Sequence, residues 1–129
     1  WSMPHLIVEH SANVEHVPLI LEAVHAATLA TGLAPIDALR TRAACREDYV
    51  IGDRHPDNAF IALIARLGPG RSGDEKQLLI NALMDAIEAT VGEAAGHMML
   101  SVEIQEIDPE MRLNHNHLRA HIGARIPTI

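Results

Sequence analysis

The chain has 129 residues, which fits a single domain able to bury about 68% of the surface that its unfolded chain exposes. Hydrophobic residues make up 48% of it but aromatic residues only 2%, and the formal net charge is -7. The scarcity of stacking side chains and the negative charge argue against a nucleic-acid partner. The longest strongly apolar run, residues 59–65, is far shorter than the ~20 residues of a membrane-spanning helix, so we expect no membrane anchor.

The first three residues lie outside the domain, in our interpretation. Trp1 and Ser2 have the character of an expression scar, and Met3 that of an initiator methionine. A small residue such as proline after methionine normally allows the initiator to be removed. We therefore expect the mature chain to begin at Pro4 and one domain to cover residues 4–129.

The chain has one cysteine, Cys45, and its start lacks the basic and apolar segments of a secretory signal. A single cysteine excludes an internal disulfide bond, and we expect a cytoplasmic protein. Since no basic partner accompanies Cys45 in the sequence, we expect it to be a small buried residue rather than a reactive thiol.

The first half of the chain predicts a strand, a helix and a strand. Alternating apolar residues indicate a strand over residues 5–11, and apolar residues at helical spacing then continue until Gly32 supplies a stop. Period-two alternation returns from residue 36 to about residue 50. This second strand places Arg40 and Arg42 on one face.

The second half predicts the same order of elements. Residues 59–67 are apolar on both faces, which is typical of a central strand. Ser72 and Glu75 have the spacing of a capping box at the start of a second helix. Residues 98 to about 108 alternate as a half-buried strand, and the His- and Arg-rich tail is a candidate helix from about Asn114.

The repeated order predicts an α+β fold, in which two β-α-β units form a four-stranded sheet with both helices on one face. The other face of such a sheet needs a cover. Because the strands carry apolar residues on both faces, we expect a homo-oligomer to provide it.

Five sequence blocks carry a family resemblance. They are PHLIVE (4–9), LATG (29–32), LRTR (39–42), GPGRS (68–72) and SVEIQE (101–106). In their order and spacing, over nearly the whole chain, they resemble the 5-carboxymethyl-2-hydroxymuconate isomerase family. Residues 43–45 and 52–58 depart from the family pattern. The resemblance therefore does not decide which side chain the substrate carries.

The resemblance implies the tautomerase superfamily, with its duplicated β-α-β fold, a homotrimer and no cofactor. It also implies a reaction. Family members use an amino-terminal proline to move a proton within an unsaturated polycarboxylic acid, from the 2-hydroxy-diene to the 2-oxo-ene form, in the breakdown of aromatic compounds such as homoprotocatechuate.

The resemblance assigns the catalytic base to Pro4, whose free α-amine would have an ordinary pKa of about 8. Arg40 and Arg71 match family positions associated with substrate carboxylates, and Arg42 is a third candidate, since a guanidinium can grip a carboxylate with two charge-assisted bonds. Arg71 also precedes a helix start, where backbone donors would reinforce anion binding. We expect Glu9 to pair structurally with Arg40 or Arg42 rather than to act in catalysis.

Two alternative functions stay open. The proline base could serve a 4-oxalocrotonate tautomerase-like or dehalogenase-like reaction, or the protein could be a non-enzymatic binding protein resembling macrophage migration inhibitory factor. The retention of Pro4, Arg40 and Arg71 favours an enzyme. His115, His117 and His121 have a spacing seen in zinc sites, but no carboxylate or cysteine completes the set, so we expect no metal.

Overall fold

The computed structural model of the protein describes residues 3–126, so the expected expression scar at Trp1 and Ser2 lies outside the described residues. The elements in chain order are β1 (His5–Ser11), α1 (Val17–Ala30), β2 (Arg40–Arg46), β3 (Ala59–Leu67), α2 (Gly73–Val91), β4 (Met98–Glu106) and α3 (Arg119–Arg125). Short 3-10 turns cover Gly92–His97 and Pro109–Met111.

The strands form one sheet in the order β2-β1-β3-β4. Each β-α-β unit contributes a parallel pair, β1 with β2 and β3 with β4, and the antiparallel pairing of β1 with β3 joins the two units at the centre. Both long helices contact each other and contribute to the same core, so they lie on one face of the sheet. The predicted α+β fold is confirmed.

The core lies between that face and the two helices. It is built from aliphatic side chains, as the composition requires, and alternation along β1 and β3 directs them toward α1 and α2. The members with the least exposure are Leu6, Val8, Ile20, Val24, Ile61, Leu63, Ala65, Leu79, Leu83 and Ile87. Burial of each large aliphatic side chain stabilises the fold by about 1.5–3 kcal/mol.

The second face of the sheet is less well covered. Ile7, Phe60 and Ile64 alternate with the core residues and stay partly exposed, and Met99 on the edge strand β4 is 63% exposed. The helices leave this apolar surface partly open to solvent.

Two predicted boundaries were wrong. β2 begins at Arg40 rather than at residue 36, because Pro35 starts a turn in which its carbonyl accepts the N–H groups of Ala38 and Leu39. The tail helix α3 begins at Arg119, since the side chain of Asn116 accepts the N–H group of Arg119 and so ends the preceding irregular segment there.

The capping box at the start of α2 is confirmed, since the side chains of Ser72 and Glu75 each accept the other's backbone N–H group. The expected burial of Cys45 is wrong. Its strand, β2, forms an edge of the sheet, and the thiol is exposed. Among residues 3–126, none of the helices is long and apolar enough to span a bilayer.

Adjacent leucines on α2 provide a test of the core. Leu79 is 1% exposed and Leu78 is 53% exposed. We expect Leu79→Ala to lower the free energy of unfolding by about 2–5 kcal/mol, and Leu78→Ala to change it by less than about 0.5 kcal/mol. Urea unfolding at one fixed protein concentration measures both. Similar losses in the two variants would contradict the assigned helix orientation.

Candidate active site

One end of the sheet brings together three strand termini. Parallel pairing puts the first residue of β2 beside the first residue of β1, and antiparallel pairing puts the end of β3 there too. His5 is thus in register with Arg40 on one side and with Arg66 on the other. Pro4, directly before β1, is buried, and its carbonyl accepts the backbone N–H group of Arg40 at 3.3 Å.

The side chains at this end divide between the two faces. Leu6 points into the core, so His5 points to the opposite face, and its register partners share that face. Arg42 follows two residues after Arg40 and lies on the same side as Ile7. The sheet therefore displays three arginines around the residue that follows Pro4.

A fourth cation comes from the tail. Ile107 donates its N–H group to the carbonyl of Leu67, which fixes the exit from β4 beside the end of β3. The turn at Pro109–Met111 then brings in Arg112, whose Nη2 donates to the Met3 carbonyl oxygen at 3.1 Å. The tail therefore reaches the start of β1 across the full length of the sequence.

These groups act on one another electrostatically. Burial, and then the charges of Arg40, Arg42, Arg66 and Arg112, lower the pKa of His5 to about 4. Burial and the other three arginines also lower the pKa of Arg40. The protein, although acidic overall, thus concentrates positive charge beside Pro4, in a cationic cluster of four arginines around a neutral histidine (His5, Arg40, Arg42, Arg66 and Arg112).

Arg71 occupies a different position at the same end of the sheet. Its guanidinium donates to the Leu33 carbonyl at 2.6 Å and, more weakly, to the Gly68 carbonyl at 3.4 Å. It lines an open cavity of about 350 Å³ between the loop after α1 and the start of α2. Arg71 is not among the charges that shift the pKa of His5.

The helix start beside Arg71 is already occupied by a side chain. Glu75 accepts the N–H group of Ser72 with its carboxylate and gives its own N–H group to the Ser72 hydroxyl. Its negative charge satisfies the positive end of α2. The expected reinforcement of anion binding by this helix start is therefore weakened.

The sequence anticipated part of this site. Pro4, Arg40 and Arg42 do lie at one end of the sheet. Glu9 pairs with Arg46 at 2.8 Å, and not with Arg40 or Arg42 as expected, because Arg46 lies farther along β2 on the same face.

The sequence analysis missed three members of the cationic cluster. Arg66 had a usable signal, since it is the single charged residue in the alternating pattern of β3. His5 gave no signal, because one histidine in a strand is common. Arg112 contacts a residue 109 positions away, which no local pattern reveals.

Two of the tail histidines lie side by side in the structure. The rings of His115 and His117 meet edge to face with centroids 6.1 Å apart. Within the described part of the chain, no three His, Cys, Asp or Glu side chains are grouped so that they could hold a metal ion.

Known proteins with similar sequences and structures identify the family. The family model of 5-carboxymethyl-2-hydroxymuconate isomerase matches residues 4–122. The 5-carboxymethyl-2-hydroxymuconate Delta-isomerase of Escherichia coli is 28% identical over 123 residues, which are 92% of this chain and 98% of the relative.

Solved structures agree with this result. A 5-carboxymethyl-2-hydroxymuconate isomerase from Deinococcus radiodurans R1 aligns with a TM-score of 0.86 and 28% identity, over 94% of this chain and 95% of that one. A fused 4-OT symmetric trimer aligns with a TM-score of 0.68 and 20% identity, over 92% and 98% of the two chains, which shows a shared fold. The chain belongs to the 5-carboxymethyl-2-hydroxymuconate isomerase family and is an isomerase of the tautomerase superfamily.

Proposed function

We propose that this isomerase moves a proton within unsaturated 2-hydroxy polycarboxylic acids of the 5-carboxymethyl-2-hydroxymuconate type, as a step in the breakdown of aromatic compounds. The Pro4 amine is the general base, and Arg40, Arg42 and Arg71 bind substrate carboxylates. The observation that carries the proposal is the cationic cluster around the residue next to Pro4. No cofactor is required for this proton transfer.

The base requires a free amine. When residues precede Pro4, its nitrogen is an amide whose lone pair is delocalised, and it does not accept a proton near neutral pH. We therefore propose that the functional domain is the chain beginning at Pro4, residues 4–129. The cluster's charges disfavour a protonated amine and favour a pKa below the ordinary value of about 8.

The proposed reaction conserves all atoms. The Pro4 amine removes the proton of the 2-hydroxyl group as the O–H bond breaks, and the oxygen becomes a carbonyl. The double bonds shift along the diene, and the protonated amine returns its proton to the diene carbon farthest from the 2-oxygen, where a C–H bond forms. The product is the 2-oxo-ene acid, and the base is regenerated.

The negative charge of the proposed substrate is complementary to the positive charge of the cationic cluster. A 5-carboxymethyl-2-hydroxymuconate molecule carries three carboxylates, and clustered guanidinium groups that repel one another are stabilised by such an anion. Arg40 and Arg42 face the same side of the sheet as His5. Arg71, beside its own cavity, suits a carboxylate far from the reacting carbon.

We further propose a homotrimer. The partly exposed apolar face of the sheet, with Ile7, Phe60, Ile64 and Met99, needs a cover, and structures similar to this chain include fused 4-OT trimers. A trimer would also place neighbouring subunits near the cationic cluster. With its single cysteine, the protein suits the reducing cytoplasm.

The amide nitrogen of Pro4 leads to a first activity prediction. The chain that begins at Pro4 should isomerise 5-carboxymethyl-2-hydroxymuconate at least ~10²-fold faster than the full 129-residue chain, because only the shorter form has the base. Its kcat/KM should depend on an ionisation below about pH 8. Steady-state assays of both forms measure this difference.

Mass spectrometry must confirm the start of each chain, and sedimentation must give the same oligomer for both. Equal rates in the two forms would rule out Pro4 as the base. A folded chain that begins at Pro4 and fails on 5-carboxymethyl-2-hydroxymuconate, 2-hydroxymuconate and phenylenolpyruvate would support a non-enzymatic binding protein instead.

Carboxylate recognition by Arg40 is tested by comparing substrates. We expect Arg40→Gln to lower kcat/KM for 5-carboxymethyl-2-hydroxymuconate at least ~10-fold more than for the monocarboxylate phenylenolpyruvate, since a charge-assisted bond is lost only with the first. Arg46→Gln, on the same strand but paired with Glu9, is the matched control and should change both substrates little. Equal losses on both substrates with Arg40→Gln would exclude a role in binding the remote carboxylates.

The lowered pKa of His5 predicts sensitivity to acid. The imidazole titrates near 6.5 when unfolded and near 4 in the folded protein, so the unfolded state binds more protons between these values. Stability should therefore fall as the pH drops from 6.5 to 4. In urea unfolding across this range, His5→Gln should lose less stability than the wild type, whereas at pH 7 and above the difference between them should be constant. Parallel curves would show that His5 is not held neutral.

A further inference from the structure

The contact between Arg112 and Met3 points to a role for the tail that the substrate-binding arginines above do not cover. The Nη2 of Arg112 donates to the Met3 carbonyl oxygen at 3.1 Å. Its Nη1 is buried and has no hydrogen-bond partner among residues 3–126. Of the two terminal nitrogens of Arg112, Nη2 therefore donates to an oxygen next to the proposed base, and Nη1 has no partner among the described residues.

The position of that oxygen is fixed by covalent geometry. The carbonyl carbon of Met3 is bonded to the Pro4 nitrogen, so standard bond lengths put its oxygen about 2.3 Å from that nitrogen. The Nη2 of Arg112 consequently lies within about 5.4 Å of the nitrogen that becomes the base. The guanidinium of Arg112 is therefore close enough to hydrogen-bond an acceptor that lies beside the amine.

Removal of residues 1–3 takes this acceptor away. Arg112 then has two donors near the amine and no carbonyl to receive the first of them. An unpaired buried donor is costly, and a carboxylate can accept from both nitrogens of a guanidinium at once.

We propose that Arg112 binds the reacting end of the substrate, the C1 carboxylate and 2-oxygen, next to the Pro4 amine. This inference rests on the proposed function, because it places Arg112 against the substrate of Pro4. It assigns a different part of the substrate from Arg40 and Arg71, which bind the more distant carboxylates. The reacting end is common to all 2-hydroxy acids of the class.

The rest of the tail holds Arg112 in place. The side chain of Asn116 donates to the Asp37 carbonyl at 2.7 Å, and the Nε of Arg119 lies 3.1 Å from a carboxylate oxygen of Asp37. Both contacts fasten the tail to the loop that leads into β2. These contacts therefore fix the tail against the end of the sheet where Pro4 lies.

The experiment uses the chain that begins at Pro4 and the variants Arg112→Gln and Arg112→Lys. Because the reacting end is shared, Arg112→Gln should lower kcat/KM at least ~10-fold for 5-carboxymethyl-2-hydroxymuconate and, by a similar factor, for the monocarboxylate phenylenolpyruvate. Arg112→Lys, which keeps the charge but not the paired donors, should recover part of the loss. Arg125→Gln, an exposed arginine of the same tail, is the control and should leave both values unchanged.

Two further measurements separate binding from folding. Loss of a cation near the amine should raise the pKa of the base, so the acid limb of the kcat/KM profile should move to higher pH in Arg112→Gln. Calorimetric titration with 2-oxohexanedioate, a 2-oxo acid that has no diene to isomerise, should show at least ~10-fold weaker binding to this variant. An unchanged thermal unfolding temperature shows that the variant is folded. If Arg112→Gln does not fold, the same activities and affinities are compared between Arg112→Lys and the wild type.

The outcomes distinguish the two proposals. Wild-type turnover with no effect of Arg112→Gln on either substrate overturns the role of Arg112 and leaves the proposed function standing. A loss confined to the polycarboxylate also overturns it, since Arg112 would then bind a remote carboxylate. If the wild type turns over neither substrate but binds 2-oxohexanedioate in a way that depends on Arg112, the role of Arg112 is supported. The proposed isomerase substrate is then overturned. If the wild type neither binds 2-oxohexanedioate nor turns over either substrate, the role of Arg112 and the proposed function are both overturned.

Discussion

The antiparallel pairing of β1 with β3 is the interaction on which the rest of the structure depends. It joins two β-α-β units that could not cover their apolar faces alone, and it sets the start of β1 against the end of β3. His5 and Arg66 become neighbours through this pairing, and the exit from β4 is anchored at Leu67 beside them. A slip of one residue in this register would turn His5 into the core and Leu6 out of it.

Electrostatic repulsion between the arginines at this end of the sheet opposes folding. Like charges placed side by side on a sheet destabilise it, and here burial and then the charges of four guanidinium groups lower the pKa of His5. An acidic protein could have dispersed its few cations over the surface. Their concentration beside Pro4 costs stability in the free protein and creates a local positive potential on an acidic protein.

Three arginines at this end of the sheet are held by different parts of the fold. Arg40 belongs to a strand, so its direction is fixed by the pleat of the sheet. Arg71 is held by the carbonyls of Leu33 and Gly68 in the loop before α2. Arg112 comes from the tail and contacts Met3, the residue that precedes Pro4. Strand, loop and tail thus each contribute a cation at the Pro4 end of the sheet.

Local sequence determined the elements. Alternation defined β1, and a run that is apolar on both faces defined β3, at the residues where the structure has them. Ser72 with Glu75 marked the start of α2, because side-chain pattern and capping are properties of neighbouring residues. The repeated order of elements predicted the sheet with helices on one face, and the family resemblance pointed to Pro4 and Arg40.

Tertiary structure alone decided which residues surround Pro4. Arg66 and Arg112 reach it through strand pairing and through the return of the tail, contacts between residues far apart in the chain. The exposed Cys45 also follows from position in the sheet, since an edge strand has a neighbour on one side only. The sequence by itself determined which segments form strands and helices, because that depends on residues a few positions apart. The cationic surface beside Pro4 depends on the register between strands and on the path of the tail, which are set only when the whole core packs.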